Sequence, residues 1–278
     1  MADLSGKVAV VLGASAEGGT GWAIAERLAR RGASVVVGAR SLEPLQRLAA
    51  KINGHAVRCD AGREADIVTL RDAAVARYGR IDIAVNSAAT PALAAIKDLT
   101  LEILQLGTQV NYFGMALFVK YSAEAMGSSG SIILISTMGV THPIFPAVSY
   151  GCAKAAMECL VRYAALEYGP RNISVNSIRA GTIDSEMARS FFGSPGVAKR
   201  FEHEIPLGRL GRPEDIADCV EWLATGAYVT GCSIDVSGGN QLNRFPFLGE
   251  LPGGGLNYHN HGALYDREHG RGQTFAPK

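Results

Sequence analysis

Residues 8–28 read VAVVLGASAEGGTGWAIAERL, and this stretch decides the fold. Its first five residues form a short apolar run that predicts a buried strand, and apolar residues recur every three or four positions after Trp22, which predicts a helix. Gly13, Gly19 and Gly21 lie between the two. A loop free of Cβ atoms that opens a helix brings backbone N–H groups and the positive helix end to an anion such as a pyrophosphate. An ordinary glycine-rich loop is the alternative that this stretch alone leaves open.

The rest of the chain repeats this alternation of short β-branched runs with longer segments of helical period. The predicted strands are Val8–Leu12, Ser34–Val37, His55–Cys59, Ile81–Val85, Ser131–Ser136, Ser174–Ile178 and Ser233–Val236. The predicted helices are Trp22–Arg31, Leu42–Ile52, Glu64–Tyr78, Leu101–Met126, Tyr150–Tyr168 and Pro213–Leu223. This pattern predicts a single α/β domain of the doubly wound, Rossmann type, with a seven-stranded parallel sheet flanked by helices on both faces. Ligands are then expected at the carboxyl ends of the strands.

Composition and charge narrow the possible partners and the cellular compartment. The chain has 278 residues, 47% hydrophobic content and a net charge of +1 without a basic stripe, which disfavours nucleic acid and acidic membrane surfaces as partners. It shows neither a leader segment nor an apolar run of about 18 residues, so we expect a cytoplasmic protein. The cysteines form no C-x-x-C pair and are expected to be reduced, buried thiols. They are Cys59, Cys152, Cys159, Cys219 and Cys232.

The end of the second predicted strand bears on which dinucleotide would bind. Ala39 and Arg40 lie about twenty residues beyond the glycine loop, where folds of this kind meet the adenosine ribose. Ala39 brings no carboxylate that would repel a 2′-phosphate, and Arg40 offers that phosphate a planar, permanently charged fork. We therefore expect NADP(H) to be preferred. NAD(H) stays open, because a solvated Arg40 is the competing interpretation and Glu17 adds a negative charge to the glycine loop.

Two polar residues follow the third and fourth predicted strands. Asp60 could accept a hydrogen bond from the adenine amino group, although alone it would more commonly be a helix cap. Asn86 could tie adjacent strands together. Both are therefore candidates for the edge of a dinucleotide site.

The sequence Tyr150-Gly-Cys-Ala-Lys154 opens a predicted helix and carries the catalytic hypothesis. Three intervening residues place the two side chains one turn apart on one helix face. A phenol ionises at about pH 10, and a neighbouring ammonium favours the phenolate, so we expect Lys154 to lower the pKa of Tyr150 for proton transfer. A hydroxyl from the preceding strand, Ser136 or Thr137, could hold a carbonyl oxygen beside Tyr150.

Several motifs occur together, and in a fixed order, along residues 5–240. They are the glycine loop, Asn86-Ser-Ala-Ala, Asn111, Ser136-Thr137, Tyr150-x-x-x-Lys154, Ile178-Arg-Ala-Gly181, Arg212-Pro-Glu-Asp-Ile and the late Val229–Gly239 stretch. By this set the chain resembles the classical short-chain dehydrogenase/reductase family. The resemblance implies reversible hydride transfer between NADP(H) and a secondary alcohol or ketone, with Tyr150 as proton donor in the reduction.

The resemblance also implies roles for single residues. Asn111 would hold a water in a proton relay behind Lys154, Lys154 would hydrogen-bond the nicotinamide ribose, and the backbone near Ile183 would contact the carboxamide. The expected catalytic residues are Asn111, Ser136, Thr137, Tyr150 and Lys154. The expected cofactor-binding residues are Gly13, Ser15, Gly19, Thr20, Gly21, Arg40, Asp60, Ala61, Asn86, Ala88, Tyr150, Lys154, Gly181 and Ile183.

Three departures from the family pattern limit what carries over. Gly13 and Gly19 are six positions apart, wider than the family's usual spacing, which predicts a reshaped pyrophosphate turn. The family's catalytic serine position is occupied by Thr137, so we expect Thr137 to clamp the carbonyl, with Ser136 as the fallback and an inert strand-end hydroxyl as the alternative. The usual Pro before Gly181 is an alanine.

Two other functions stay open at this point. The widened glycine loop and the Ser-Thr-Met-Gly phrase at residues 136–139 are similar to enoyl-thioester reductases, so reduction of an activated C=C bond is an alternative. Those enzymes space Tyr and Lys more widely, which favours carbonyl chemistry here. A non-catalytic dinucleotide sensor is the other alternative, and the presence of both Tyr150 and Lys154 disfavours it.

The expected substrate pocket is apolar. Its predicted lining residues are Met138, Ile144, Phe145, Met187, Phe191 and Phe192, and they suit a bulky, apolar ketone or alcohol. Phe191–Pro195 combines aromatic residues with Gly and Pro, which is typical of a lid over a substrate or of a plain surface loop.

The catalytic domain is predicted to span residues 1–242 and is followed by an irregular extension, 243–278. This extension contains several apolar anchors, including Phe245 and Phe247, so we expect it to pack on the active-site mouth or on a neighbouring subunit. A metal site at His259, His261 and His269 is disfavoured, because no cysteine or second paired motif accompanies them. By the family resemblance we expect a homodimer or homotetramer that self-associates through the helices Leu101–Met126 and Tyr150–Tyr168 and acts on a small-molecule substrate.

Overall fold

A seven-stranded parallel sheet forms the centre of the computed structural model, which describes residues 3–185, 196–247 and 250–251. The strands are β1 (Val8–Leu12), β2 (Ser34–Ala39), β3 (His55–Arg58), β4 (Ile83–Asn86), β5 (Gly130–Thr137), β6 (Ile173–Ala180) and β7 (Ser233–Val236). Their order across the sheet is β3-β2-β1-β4-β5-β6-β7, with every pairing parallel. The order reverses between β1 and β4, and ligands bind outside the carboxyl ends of the strands at such a reversal. The predicted fold class is confirmed.

Helices cover both faces of the sheet. They are α1 (Thr20–Arg30), α2 (Leu42–Ile52), α3 (Glu64–Tyr78), α4 (Leu101–Thr108), α5 (Gly114–Ala125), α6 (Val148–Tyr168), α7 (Val197–His203) and α8 (Pro213–Ala224). The core on one face includes side chains of α1, α2 and α8, and the core on the other includes side chains of α3, α5 and α6. Strand β1 shows why both faces are apolar: Ala9 and Val11 face the first core, whereas Val10 and Leu12 face the second.

The long helix predicted over residues 101–126 is interrupted. A π-helical turn at Gln109–Phe113 separates α4 from α5. Close packing accompanies the break, because a Cβ at Gly114 would lie 2.0 Å from the Ala61 carbonyl oxygen, and one at Gly107 would lie 2.1 Å from Ser149 Oγ. Such turns are frequent at functional sites, and Asn111 lies at the middle of this one. Helical periodicity alone could not predict the extra residue in the turn.

One expectation about buried residues was wrong. Of the cysteines, Cys59 is buried, but Cys152, Cys159 and Cys232 are exposed on the described surface. Short apolar runs did not distinguish the inner from the outer face of α6, which carries two of the exposed thiols.

No helix in the described part of the chain combines the length and the apolar character needed to cross a membrane.

Candidate active site

The glycine loop packs tightly against the loop that follows β4. Gly13 has a φ of +92°, which favours glycine, and a Cβ there would lie 2.4 Å from the Ala88 backbone nitrogen. A Cβ at Gly21 would lie 2.2 Å from the Gly13 carbonyl oxygen, so the first turn of α1 approaches the end of β1 closely. Gly19 caps α1 without a side-chain hydrogen bond. The helix therefore presents its first backbone N–H groups, which is the arrangement that suits a pyrophosphate.

Tyr150 and Thr137 meet at the carboxyl end of β5. They share a hydrogen bond, which lowers the pKa of Tyr150, but burial is the larger effect and raises that pKa to about 12. The Thr137 hydroxyl also accepts a hydrogen bond from the Gly139 backbone N–H at 3.1 Å. Both side chains line one cleft, so a carbonyl group placed there would meet two hydroxyls.

Lys154 lies one turn beyond Tyr150 on α6 and is fully buried. Its Nζ donates a hydrogen bond to the Ile135 carbonyl oxygen at 2.7 Å and lies 5.9 Å from the centre of the Tyr150 ring. Desolvation lowers the pKa of Lys154 to about 7, against the attraction of Glu158, which raises it. Burial is the largest effect on the pKa of both groups in this arrangement, and the Lys154 ammonium bonds to the backbone, so the expected lowering of the Tyr150 pKa by Lys154 stays a prediction.

The loop after β6 closes the other side of the cleft. A Cβ at Gly181 would lie 2.7 Å from Ser237 Cα, so this position has room only for glycine. Ile183 pairs with Gly211 in an isolated parallel bridge, and the Gly211 backbone N–H donates to the Thr182 carbonyl oxygen at 2.9 Å. These contacts fix the backbone near Ile183 beside the cleft.

The cleft has a volume of about 320 Å³, within the range of small-molecule sites. It begins at the glycine loop and passes Thr137 and Tyr150 before it reaches an apolar end. The apolar end is formed by Pro91, Leu93, Ile144, Phe145, Pro146, Phe201 and Phe245. Two of these were predicted pocket residues, Ile144 and Phe145.

Comparison with known proteins places these features in one family. A family model described as enoyl-(acyl carrier protein) reductase matches residues 13–241. Dehydrogenase/reductase SDR family member 4 of Homo sapiens is 32% identical over 246 residues, which are 85% of this chain and 88% of that protein. The chain belongs to the short-chain dehydrogenase/reductase family. It is therefore an oxidoreductase of a family that binds nicotinamide dinucleotides.

Other relatives differ in the substrates and cofactors that their names give. An L-rhamnose 1-dehydrogenase (NAD(P)(+)) of Sphingomonas sp. (strain SKA58) is 33% identical over 251 residues, 86% of this chain and 98% of that protein. The solved structure of a variant actinorhodin polyketide ketoreductase with NADPH matches at a TM-score of 0.80 and 27% identity, and covers 87% of this chain and 99% of that one. Substrate and cofactor preference are thus not fixed by membership of the short-chain dehydrogenase/reductase family.

The predicted cofactor residues divide between those that line the cleft and those that do not. Seven of them line the cleft: Gly13, Gly19, Thr20, Gly21, Tyr150, Gly181 and Ile183. The others lie outside the cleft lining: Ser15, Arg40, Asp60, Ala61, Asn86, Ala88 and Lys154.

Polar residues at the adenosine side of the sheet differ in how they are held. Asp60 Oδ1 accepts a hydrogen bond from the Gly62 backbone N–H at 2.9 Å, so this side chain stabilises its own turn. Asn86 does not tie strands together: its Oδ1 accepts from the Ala88 N–H at 3.0 Å, and its buried Nδ2 has no partner among the described residues. Arg40 is exposed and forms no ion pair within the described part of the chain.

Asn111 is fully buried in the π-helical turn, and its side chain bonds to the backbone of two segments. Its Nδ2 donates to the carbonyl oxygens of Gly107 at 2.8 Å and Thr90 at 2.9 Å, and its Oδ1 accepts from the Thr90 N–H at 3.3 Å. The side chain therefore joins the interrupted helix to the loop after β4. The expected water relay between Asn111 and Lys154 stays a prediction.

The two candidate hydroxyls face different partners. Ser136 Oγ donates to Glu158 Oε1 at 2.7 Å in the protein interior, whereas Thr137 contacts Tyr150. Glu158 is also held by Arg179, whose Nε and Nη2 each lie 2.9 Å from its carboxylate oxygens. This geometry favours Thr137 over Ser136 as the carbonyl clamp. Sequence reasoning missed Glu158 and Arg179, although Glu158 lies four residues after Lys154 on the same helix.

One predicted pocket residue does not line the cleft, and others cannot be placed. Met138 is fully buried, so its side chain is not available to a substrate. Met187, Phe191 and Phe192, and the Phe191–Pro195 lid, lie outside the described residues. The same holds for His259, His261 and His269. Within the described ranges, no group of three or more His, Cys, Asp or Glu side chains could hold a metal ion.

Proposed function

We propose that this protein is an NADP(H)-dependent oxidoreductase that interconverts a secondary alcohol and a ketone. The observation that carries the proposal is the meeting of Thr137 and Tyr150 in a cleft that starts at the glycine loop, with Lys154 buried behind them. The two glycine contacts at Gly13 and Gly21 fit a dinucleotide, since any side chain there would fill the space that brings the backbone close. When bound, the nicotinamide supplies the hydride for reduction or accepts it in oxidation.

The protein's own residues handle the proton and the orientation of the carbonyl. Tyr150 donates its phenolic proton to the carbonyl oxygen in reduction and recovers one from the new hydroxyl in oxidation. Burial raises the pKa of Tyr150 to about 12, so the phenol carries the proton at neutral pH. Thr137 donates a second hydrogen bond to the same oxygen and fixes its position. Lys154 supplies the positive charge that stabilises the phenolate once the proton has left.

The preference for NADP(H) rests on Arg40. Its side chain is exposed, lies just beyond β2 and is not committed to a carboxylate in the described chain, so it is available for a 2′-phosphate. One solved relative carries NADPH, and the name of another relative covers both dinucleotides. NAD(H) is the alternative that the test below includes.

The substrate is proposed to be bulky and apolar. The end of the cleft beyond Tyr150 is built from aliphatic and aromatic side chains, among them Pro91, Leu93, Ile144 and Phe145. Such a wall gains free energy by covering apolar surface, at about 25 cal/mol per Å², and offers little to a sugar's hydroxyls. A polyketide-like or alicyclic ketone suits it better than a carbohydrate.

Reduction of an activated C=C bond is the second candidate. The description of the matching family model favours it. The four-residue interval between Tyr150 and Lys154 argues for carbonyl chemistry, because the resembling enoyl-thioester reductases space these residues more widely. A substrate that contains both a C=C bond and a ketone distinguishes the two, since the products differ.

We also propose that the protein is a homodimer or homotetramer. Large apolar side chains are exposed on α4 and α6, which favours burial against another copy. They are Leu101, Leu104, Leu106, Tyr163 and Leu166. The cytoplasmic location stays a prediction.

The proposal is tested by following the oxidation of NADPH and of NADH with aryl, alicyclic and linear ketones and with matched enones. Turnover with NADPH that Tyr150→Phe abolishes supports ketone reduction, and loss of the NADPH advantage in Arg40→Ala supports the role of Arg40. Reduction of enones at the C=C bond alone would favour the second candidate. A wild-type enzyme that uses NADH as well as NADPH would refute the argument from Arg40.

A further inference from the structure

The first part of the C-terminal extension returns to the mouth of the cleft. The Phe245 ring packs on Phe201 of α7, with ring centres 6.1 Å apart and planes tilted by 57°. Leu251 is buried in the same apolar cluster, which also contains Val197. Phe245 therefore contributes to the wall of the cleft, and Phe245 and Leu251 share an apolar cluster with α7.

A network of charged side chains fixes this segment. Arg244 forms two hydrogen bonds with the Glu250 carboxylate, at 2.6 and 2.7 Å, and lies 3.3 Å from Glu204. Arg200 of α7 reaches the same two carboxylates, at 2.6 Å from Glu204 and 3.2 Å from Glu250. The hydrogen bonds from Arg244 lower the pKa of Glu250 to about 2. Because the charges alternate and share partners, the segment is held at several points, unlike an isolated surface pair.

Phe245 stands between two apolar spaces. On one side it lines the catalytic cleft together with Tyr150. On the other side it lines a second space of about 620 Å³, bounded by residues 94–96, 139–148 and the start of α6. Ile144, Phe145 and Tyr150 border both spaces as well. The aromatic ring of Phe245 is thus part of a partition, and the space behind it is apolar enough to take a hydrocarbon group.

We infer that Phe245, held by the Arg244–Glu250 clamp, is a specificity-determining residue that limits how long an apolar group the ketone substrate can carry. The inference rests on the proposed ketone reduction, because it places the reacting carbonyl at Tyr150. A short substituent ends against the Phe245 ring. A longer one must displace that ring to reach the second space, and the clamp resists the displacement.

The test is a chain-length profile measured with linear methyl ketones, from butanone to 2-dodecanone. In the wild type, kcat/KM should rise with length and then fall once the chain meets Phe245. Phe245→Ala and the milder Phe245→Leu should move the maximum to longer ketones, with a gain of about three- to fourfold in kcat/KM for each further methylene accepted. Glu250→Gln, which weakens the clamp, should shift the profile in the same direction but less.

The control is Leu242→Ala, which truncates an exposed apolar side chain three residues before Phe245, outside both spaces. It should keep the wild-type profile. The inference is overturned if both Phe245 variants fold, turn over short ketones and keep the wild-type length maximum. If the wild type reduces no ketone, the proposed function fails. The chain-length profile is then measured as calorimetric Kd values of the ketone series, with NADPH present, for the wild type and for Phe245→Leu. An unchanged Kd profile in Phe245→Leu would overturn the inference independently.

Discussion

The ion pair between Glu158 and Arg179 offers a direct test of how the catalytic helix is held. The Glu158 side chain is 4% exposed and that of Arg179 is 21% exposed, and a bidentate contact joins them. Removal of one partner from a buried pair costs about 3–5 kcal/mol, because the remaining charge has no compensation. Since water reaches part of Arg179, we expect Arg179→Met to lower the free energy of unfolding by an amount near the lower end, about 3 kcal/mol.

The double variant Glu158→Met/Arg179→Met should recover part of that loss, because the apolar pair leaves no unpaired carboxylate, although the buried Lys154 loses the attraction of Glu158. Urea unfolding of the wild type, both single variants and the double variant, at one fixed protomer concentration, completes the double-mutant cycle. Ser136→Ala serves as the control, since it removes only one hydrogen bond to the same carboxylate. If Arg179→Met costs less than about 1 kcal/mol and the single losses simply add, the pair behaves as a solvated surface bridge, and the reasoning is refuted.

Three further predictions concern the cofactor loop, the hydroxyls and pH. Gly21→Ala should weaken NADPH binding at least tenfold, because the new Cβ would lie 2.2 Å from the Gly13 carbonyl oxygen. Gly169→Ala is the control, since a Cβ there meets nothing within 4 Å and should leave the Kd for NADPH, measured by fluorescence titration, unchanged. Equal Kd values for both would contradict this. Thr137→Val should lower kcat about a hundredfold, as loss of one oxyanion donor does. Ser136→Ala should lower kcat less than about threefold. If steady-state kinetics show the larger loss in Ser136→Ala, then Ser136 and not Thr137 holds the carbonyl oxygen. Burial lowers the pKa of Lys154 from 10.5 in the unfolded chain to about 7 in the folded protein. Between pH 7 and pH 10.5 the unfolded chain therefore binds more protons at this group than the folded protein does. The contribution of Lys154 to the free energy of unfolding consequently rises with pH across this range. In Lys154→Met, the midpoint of urea unfolding should rise less steeply with pH than in the wild type. Equal slopes of midpoint against pH in the two proteins would disprove this role of Lys154.

Local patterns were enough to predict the sheet and most of the helices. The β1 run Val8–Leu12 and the helices Leu42–Ile52 and Glu64–Tyr78 lie where periodicity placed them. Strand β1 is predictable because it is buried on both faces, and the two helices are predictable because each buries one side against the sheet. The break at Gln109–Phe113 was not predictable in this way, since it accompanies contacts of Gly107 and Gly114 with residues distant in sequence.

The candidate site shows the same division between local and distant information. The Tyr150–Lys154 interval is local, and it correctly placed the two side chains on neighbouring turns of α6. The partners of Ser136 and Phe245 come from positions 22 and 44 residues away, Glu158 and Phe201. No pattern in a single sequence indicates such pairs. A glutamate four residues after Lys154 was the available signal for Glu158, because helix geometry places it one turn further along.

The protonation states of Tyr150 and Lys154 bear on the direction of the reaction. With the pKa of Tyr150 at about 12 and that of Lys154 at about 7, the phenol is protonated and a large fraction of the amine is neutral slightly above neutral pH. Ketone reduction needs the protonated phenol, so the site already holds the form that donates. Alcohol oxidation needs the phenolate and a charge to stabilise it, and both groups must change for that. Burial therefore keeps Tyr150 in the form that donates a proton in the proposed reduction, but it also makes that proton harder to lose, and the charge of Lys154 matters most when the proton is leaving Tyr150.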